Sequence, residues 1–348
     1  MHKVCKRYWY KKSTCCIEQL KKAERGGKTP QKEKKKMCKL KSAIILKDRI
    51  FMPDYDSHSK MLEELKITDD YFNASKVFVR AELVPENGDV FSDIDGWKLE
   101  VDQDITPEWF DEKDCAERMR KAVKEWAKTH IFVGQNGLAI SHGENIFIKD
   151  CKNVDICGSA TVKNIRGNAT VEYIRGNATV EDICDEVTVK NICDEVTVEY
   201  IRDEVTVENI CGNATVKYIC DEVTVEYIRG NATVEYICDE VTVEYIRGNA
   251  TVEYIRGNTT VKNICDEVTV KNICDEVTVE YICDEATVEN ICGDATVISS
   301  PYTKWNNSAS LIISGNATFK DCYSKTIYQA GGWKLVEIKK GRRYNETY

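Results

Sequence analysis

The chain has 348 residues, of which 42% are hydrophobic, and a formal net charge of −9 at pH 7. This length and composition suit a soluble protein of two or three structural units. No apolar run reaches the ~18 residues of a membrane-spanning helix, and the N-terminus lacks the pattern of a secretory signal peptide. We therefore expect no membrane span, and we expect a cytoplasmic or virion-associated protein.

The chain begins with a basic segment. Residues 1–50 hold 17 Lys or Arg against 4 Asp or Glu, and charge runs of this kind usually stay unfolded. We predict a disordered basic segment over residues 1–56, the one part of the chain suited to bind nucleic acid. The alternative is an inert tail or a translation artefact, with the true start at Met52 or Met61.

A small α+β unit is predicted over residues 57–150. The pattern indicates a short helix over 59–65, strands over 76–83 and 97–101, and a long helix that opens at Thr106-Pro107-Glu108 and runs through Trp126. The opening combines an N-cap residue, a proline at the first helical position and an early acid. We expect this N-terminal module to cap the element that follows it.

From Ile156 onward one nine-residue phrase repeats sixteen times without insertion or deletion. Its first position is always Ile, its sixth Thr and its seventh Val. The run Ala/Val-Thr-Val-Glu/Lys alternates apolar and polar residues over β-branched side chains, which is typical of a strand. A short fixed period means that the copies stack to bury their apolar faces. We predict a mainly β fold, with a β-helix, or β-solenoid, over residues 151–297.

The variable positions of the phrase suggest the size of one coil. At every third phrase, position two gives a column of cysteines from Cys157 to Cys292, and position nine gives a column of tyrosines from Tyr173 to Tyr281. We predict a three-sided β-helix with three phrases in each 27-residue coil. The alternative is that three phrases are the duplicated unit of the gene, whereas one coil holds only two phrases, in two layers.

The corners are predicted from positions three and four, which hold either Gly followed by a small polar residue or the pair Asp-Glu. Gly suits a tight corner with positive φ. Because eight copies carry Asp-Glu instead, we predict that the corner does not require positive φ. After Val297 the period breaks, and residues 298–348 are assigned to a C-terminal cap and tail.

Several segments resemble a known group of proteins. These segments are 97–104, 122–127, the lead-in 149–154 and the Ala-Thr-Val tandem. They resemble uncharacterised bacterial and phage proteins with tandem Ala-Thr-Val nonapeptide repeats, over roughly residues 55 to 340. The resemblance implies a solenoid of variable length behind an N-terminal module, encoded by a phage or prophage. It implies no activity, and it does not include the basic N-terminal segment.

The sequence indicates no catalytic site, cofactor or metal centre, and we expect a protein that is not an enzyme. The four His residues show neither the spacing of a metal-ligand set nor that of a nucleophile and base. The 17 cysteines are expected to be reduced thiols, although stacked cysteines at strand spacing would lie within disulfide distance.

Two functions are consistent with this sequence. The first is a structural or adhesive rod, as a phage or cell-surface component, that contacts carbohydrate or protein along the solenoid face and can form a homo-oligomer. The second is an intracellular acidic solenoid that mimics DNA and binds a DNA-handling protein, because residues 156–297 hold 28 Asp or Glu against 11 Lys or Arg.

The candidate binding residues form an aromatic and acidic stripe that recurs at every third phrase. They are Tyr173, Tyr200, Tyr227, Tyr254 and Tyr281, preceded respectively by Glu172, Glu199, Glu226, Glu253 and Glu280. Ring faces suit sugars or apolar groups, and carboxylates suit hydroxyls or cations. The plainer interpretation is that Tyr covers a corner and Glu keeps the rod soluble.

Overall fold

The computed structural model describes residues 41–301 and 311–330, together with the backbone of residues 332–338. Residues 1–40, which form most of the basic segment, lie outside the described residues, so their disorder and their contact with nucleic acid stay predictions. Within the described part of the chain, no helix is long and apolar enough to cross a membrane.

The N-terminal module begins at Lys41, inside the segment predicted to be disordered. It contains a four-stranded antiparallel sheet in the order β2-β1-β3-β4. Its elements are β1 (Lys41–Leu46), β2 (Ile50–Phe51), β3 (Phe78–Val84), β4 (Lys98–Val101), α1 (His58–Glu64), α2 (Tyr71–Ala74) and α3 (Glu112–His130), with 3-10 turns at Glu86–Gly88 and Ile94–Gly96. The prediction of disorder over 41–56 is wrong because β1 is apolar on both faces. Ile45 packs into one buried cluster and Ile44 into another.

The long helix of the module starts later than predicted. Asp111 is its N-cap, and the Asp111 carboxylate accepts a hydrogen bond from the backbone N–H of Asp114 at 2.8 Å. Thr106 and Pro107 therefore lie in the preceding loop. The two predicted strands of the module are confirmed as β3 and β4.

Beyond α3 the chain winds between two sheets, each of which has 12 strands in the described residues. The odd sheet comprises β5 (Ile131–Val133), β7 (Ile146–Lys149), β9 (Thr161–Arg166), β11 (Thr179–Ile183), β13 (Thr197–Ile201), β15 (Thr215–Ile219), β17 (Thr233–Ile237), β19 (Thr251–Ile255), β21 (Thr269–Ile273), β23 (Thr287–Ile291), β25 (Leu311–Gly315) and β28 (Gly332–Ile338). The even sheet comprises β6 (Ala139–Ile140), β8 (Val154–Ile156), β10 (Thr170–Ile174), β12 (Thr188–Ile192), β14 (Thr206–Ile210), β16 (Thr224–Ile228), β18 (Thr242–Ile246), β20 (Thr260–Ile264), β22 (Thr278–Ile282), β24 (Thr296–Ser299), β26 (Thr318–Asp321) and β27 (Thr326–Gln329). The predicted mainly β fold with a β-solenoid is confirmed.

Each coil holds two phrases, one in each layer. In the parallel pair β12 and β14, Thr188 lies opposite Thr206 and Val189 opposite Val207. The predicted three-sided coil is wrong, and the two-layer alternative is confirmed. The sixteen phrases therefore form eight coils, about 38 Å long at ~4.8 Å per strand, and not the roughly 25 Å that a three-phrase coil implies.

The core of the solenoid is built from the invariant positions of the phrase. All sixteen Ile at position one and all sixteen Val at position seven have 0% exposure. Position five is buried as well, and its single polar member, Thr259, donates its hydroxyl to the carbonyl of Arg256 at 2.7 Å. One core runs from the first coil to the last. Burial of these side chains stabilises each coil through its contact with the neighbouring coils.

The corner does require positive φ, contrary to the prediction. Every Gly and every Asp at position three of the phrase is left-handed, with φ of 73° at Gly176 and 64° at Asp194. Asp tolerates this region better than most residues with a side chain. The Asp194 carboxylate also accepts a hydrogen bond from the Gly176 N–H of the preceding coil at 3.0 Å. Four of the eight Asp corners cap the corner of the preceding coil in this way, at Asp185, Asp194, Asp266 and Asp275.

The module packs on the outer face of the odd sheet. Phe147 on β7 belongs to the buried cluster of the module, and its ring lies 6.5 Å from that of Trp126 and 6.4 Å from that of Phe91. Arg166 covers Phe91 and forms an ion pair with Asp89. At the other end, β27 and β28 pair antiparallel with β26 and β25. The parallel winding therefore ends in two returning strands.

Replacing Ile219 by Asp should disrupt the central coils, because an isolated carboxylate would be buried in a fully apolar core. Ile219→Val removes one methyl group and should reduce the free energy of unfolding by about 0.5 to 1.5 kcal/mol. Glu235→Gln on the outer face should change it by about 0.5 kcal/mol or less. Thermal unfolding followed by circular dichroism compares the three variants. Similar midpoints for Ile219→Asp and Glu235→Gln would contradict the assigned inward face.

Candidate functional site

The predicted stripe of tyrosines and glutamates does not form one surface. Because a coil holds two phrases, residues three phrases apart lie on opposite sheets. Tyr173, Tyr227 and Tyr281 lie on the even sheet with Glu172, Glu226 and Glu280, whereas Tyr200 and Tyr254 lie on the odd sheet with Glu199 and Glu253. The ten residues therefore belong to two outward faces of the solenoid.

On the odd sheet, Tyr200 and Tyr254 are the ends of a tyrosine ladder that the three-phrase spacing concealed. Tyr218 and Tyr236 lie between them, and successive ring centroids are 5.0 to 5.1 Å apart with interplanar angles of 7° to 16°. The inner rings cover each other's faces, and Tyr218 is only 1% exposed. Burial, followed by the charge of Glu199, raises the pKa of Tyr200 to about 12. The ladder mainly stabilises the stack of coils.

The even sheet carries a shallow depression of about 250 Å³ that includes the predicted residue Glu226. We call it the central groove. Its lining residues are Thr206, Val207, Glu208, Thr224, Glu226 and Glu244. The predicted residue Tyr227 follows Glu226 directly, and its ring stacks on that of Tyr245 at 5.2 Å. The groove therefore combines threonine hydroxyls and carboxylates at strand spacing, and the tyrosine rings follow two of its glutamates along the chain.

The charges around the central groove are unevenly paired. Lys190 bonds to Glu172 at 2.7 Å beyond one end of the row, and Lys262 bonds to Glu244 at the other end. These hydrogen bonds to carboxylates raise the pKa of both lysines. Among the described residues, the side chains of Glu208 and Glu226 form neither a hydrogen bond nor an ion pair. Two adjacent carboxylates are thus available to hydroxyl groups or cations.

The ring of Tyr245, which follows the groove residue Glu244, is partly accessible. The guanidinium of Arg247 lies 4.5 Å above the ring of Tyr227. Tyr245 is 37% exposed, and its neighbour on the next coil is Asn263, so only one of its faces meets another ring. A partly exposed ring beside carboxylates can contact the apolar face of a sugar. The signal for Tyr245 in the sequence is its position two phrases after Tyr227.

An acidic column lies along the corner that follows the odd sheet. Its members are Asp185, Asp203, Asp221 and Asp239, on four successive coils. Burial raises the pKa of Asp203 and Asp221, and neighbouring carboxylates of the column add to the increase. The positive charge of Arg202, which forms an ion pair with Asp182 at 2.7 Å, opposes this increase in both pKa values. The column is therefore a place of charge repulsion inside the fold.

Three groups of potential metal ligands occur in the described residues, with ligand atoms within 4.8 Å of one another. In the first, Cys265 and Cys283 form a disulfide and cannot bind a metal through thiolates. The second comprises Cys184, Asp185 and Asp203. Burial, followed by a neighbouring carboxylate, raises the pKa of Cys184 to about 12, so this thiol stays protonated and fits a metal poorly.

The third group lies in the module and comprises His58, Glu82 and Asp102. His58 is buried, with Nε2 at 3.2 Å from the carbonyl oxygen of Ala81 and Nδ1 at 3.6 Å from the Asp102 carboxylate. Both ring nitrogens thus have protein partners, which orient the ring between α1 and the module sheet.

Two pairs of cysteines are disulfides, contrary to the expectation of reduced thiols. Cys265 is bonded to Cys283 and Cys274 to Cys292, with Cα–Cα distances of 4.8 Å and 4.5 Å. Both pairs join equivalent positions of adjacent coils, with a sequence separation of 18. The predicted single cysteine column at every third phrase is wrong for the same reason as the tyrosine stripe.

No protein-family model, curated protein or solved structure matches the chain. The repetitive β-solenoid agrees with the architecture that the resemblance to Ala-Thr-Val repeat proteins implied. The relation to bacterial or phage proteins stays a prediction.

Asp221→Asn should stabilise the protein at neutral pH. The folded-state pKa of Asp221 is raised above its ordinary value of 3.8, so stability falls as pH rises from 3.8 through the folded-state pKa. Above that window the ionised carboxylate destabilises the fold. Asn removes the charge and tolerates the left-handed corner at this position, where φ is 59°. The unfolding midpoint of the variant should exceed that of the wild type at pH 7, and the difference should shrink toward pH ~4.

Asp194→Asn is the matched control, because the Asp194 carboxylate accepts a hydrogen bond from Gly176. Removal of its charge weakens a favourable contact and should not raise the midpoint. An equal gain for both variants would show that the gain does not come from repulsion within the acidic column.

Proposed function

We propose that this chain is a non-enzymatic rod that serves as a structural or adhesive element of a phage particle or cell surface and binds carbohydrate through the central groove. The observation that carries the proposal is the groove itself. There the two unpaired carboxylates of Glu208 and Glu226 adjoin exposed threonine hydroxyls, and the partly exposed ring of Tyr245 follows the lining residue Glu244.

The backbone supports the role of a rod. Every coil of the repeat is hydrogen-bonded to the next in two parallel sheets, and a single apolar core crosses all of them. Such a stack keeps its outward side chains at fixed spacing over about 38 Å. A ligand with a linear repeat can therefore meet several equivalent groups at once.

The chemistry of the groove supports carbohydrate as the ligand. Sugar hydroxyls donate hydrogen bonds to carboxylates, and with threonine hydroxyls they can either donate or accept. The apolar face of a sugar ring packs on an aromatic ring. The arrangement of Glu226, Thr224 and Tyr245 offers these three kinds of contact on one face.

A DNA mimic is the second candidate, favoured by the acidic column of the odd-sheet corner. Ion pairs weaken this alternative, because the lysines of the two outer faces neutralise neighbouring glutamates. These pairs are Lys163–Glu181, Lys190–Glu172, Lys262–Glu244 and Lys271–Glu253. A surface with alternating charge attracts DNA-binding proteins less than a continuous acidic one.

Binding of the full chain to glycan and cell-wall polysaccharide arrays tests the proposal. The double variant Glu208→Gln and Glu226→Gln, and separately Tyr245→Ser, should weaken retention at least ~10-fold, equivalent to about 1.4 kcal/mol. The double variant Glu235→Gln and Glu289→Gln removes the same charge from the odd sheet and should bind like the wild type. Circular dichroism should be unchanged for all three.

Two results would contradict the proposal. One is a wild-type protein that binds none of the arrayed polysaccharides, and the other is full retention by both groove variants. Salt-sensitive capture of a nuclease or topoisomerase that DNA displaces would favour the mimic instead.

A further inference from the structure

Cysteines stack in adjacent coils at four places in the solenoid. The pairs are Cys193 with Cys211, Cys220 with Cys238, Cys265 with Cys283 and Cys274 with Cys292. The last two are disulfides, whereas the first two are free thiols. Each of the two corners of the solenoid therefore carries one disulfide and one pair of free thiols. Cys193–Cys211 and Cys265–Cys283 follow strands of the even sheet, and the other two pairs follow strands of the odd sheet.

The pair Cys193 and Cys211 repeats the backbone setting of a formed disulfide. Each cysteine follows the last Ile of an even-sheet strand, and those strands pair in register in both cases. The N–H of Cys211 donates to Ile192 O at 2.8 Å, and the N–H of Cys283 donates to Ile264 O at 3.0 Å.

The residues after these cysteines have matching conformations. Asp194, Gly212, Asp266 and Asp284 all have φ between 56° and 68°. The Cα–Cα distance of the formed pair at this corner is 4.8 Å, within the range that a disulfide accepts. The backbone of the unformed pair therefore already has the geometry of the formed one.

We propose that Cys193 and Cys211 are a latent disulfide site, which a small-molecule disulfide converts into a covalent link between adjacent coils. The Cys193 thiolate attacks one sulfur of the oxidant, forms a mixed disulfide and releases one thiolate. The Cys211 thiolate then attacks Cys193 Sγ and releases the second. Two protein thiols and one oxidant disulfide become one protein disulfide and two small thiols, so atoms and electrons balance.

The environment of the two thiols determines how fast they react. Burial, followed by the charge of Asp194, raises the pKa of Cys193 to about 11, so the thiolate fraction is small at neutral pH and grows as the pH rises. Cys193 and Cys211 are both partly exposed. Cys220 and Cys238 are only 4% and 1% exposed, and two left-handed residues follow each of them. Cys220 and Cys238 should therefore form a disulfide more slowly, and they serve as an internal comparison.

The consequence of the link is a rod that resists separation of its coils. A stacked solenoid loses structure by separation of neighbouring units, and a covalent bond between two coils opposes this step. The existing disulfides join the coils of the C-terminal half, from Cys265 to Cys292. The new one would join coils toward the N-terminal half.

Peptide mapping of the full chain tests the site. The native protein is incubated with oxidised glutathione at pH ~8.5, near the ordinary pKa of a thiol, and then alkylated and digested with trypsin. Arg202 separates the two cysteines, so the link joins the distinct peptides 191–202 and 203–217. We expect this linked pair before any link between Cys220 and Cys238, together with a higher unfolding midpoint.

Cys211→Ser is the matched variant, and in it Cys193 should carry glutathione with no increase in the midpoint. Cys184 is an internal control. Its equivalent positions on the adjacent coils are Arg166 and Arg202, so it has no cysteine partner there and should form no link between coils. The proposal is overturned if Cys193 of the wild type remains a mixed disulfide or a free thiol after prolonged oxidation. It is equally overturned if Cys193 joins a cysteine other than Cys211, or if the buried pair links first.

Discussion

The whole solenoid depends on the pairing of identical positions of the phrase on adjacent coils. In the paired strands of the repeat, Thr lies opposite Thr, Val opposite Val and Ile opposite Ile. The apolar positions face inward from both sheets, so each coil buries the apolar surface of the next. One coil alone could not bury these side chains, and one inserted residue would exchange the inward and outward positions of a strand.

This pairing also arranges the outer surface. Any side chain repeated at every second phrase becomes a column, whether or not it contributes to the core. Tyrosines become stacked rings, lysines reach glutamates of adjacent coils, and cysteines come within bonding distance. The central groove arises in the same way, because three successive coils of the even sheet carry Glu at position eight. The columns of the outer surface and the disulfides are therefore consequences of register.

The corners show how the fold accepts a less favourable sequence. Gly adopts the left-handed corner without a side-chain clash, and Asp adopts it with some strain. Four Asp residues recover part of this loss through hydrogen bonds to a Gly N–H of the preceding coil. At Asp203 and Asp221, where Asp follows Asp along the column, burial raises the pKa of the carboxyl groups, and the neighbouring carboxylates add to the increase. The corners thus include Asp residues that gain a hydrogen bond and Asp residues that lie beside another carboxylate.

The sequence by itself determined that this chain is a β-solenoid, because invariant Ile, Thr and Val at a nine-residue period leave stacked strands as the way to bury the apolar residues. It also indicated β3 and β4 of the module, whose apolar patterns are local. It did not determine the size of the coil, because the core positions are the same in every phrase and fit two or three phrases per coil equally well. The conspicuous three-phrase columns of Cys157 and Tyr173 are made of corner and surface residues, which do not set the winding. Only the tertiary structure decided that two strands complete one coil. This winding places Tyr245 beside Tyr227 and Cys211 beside Cys193, because contacts across coils depend on register and not on composition.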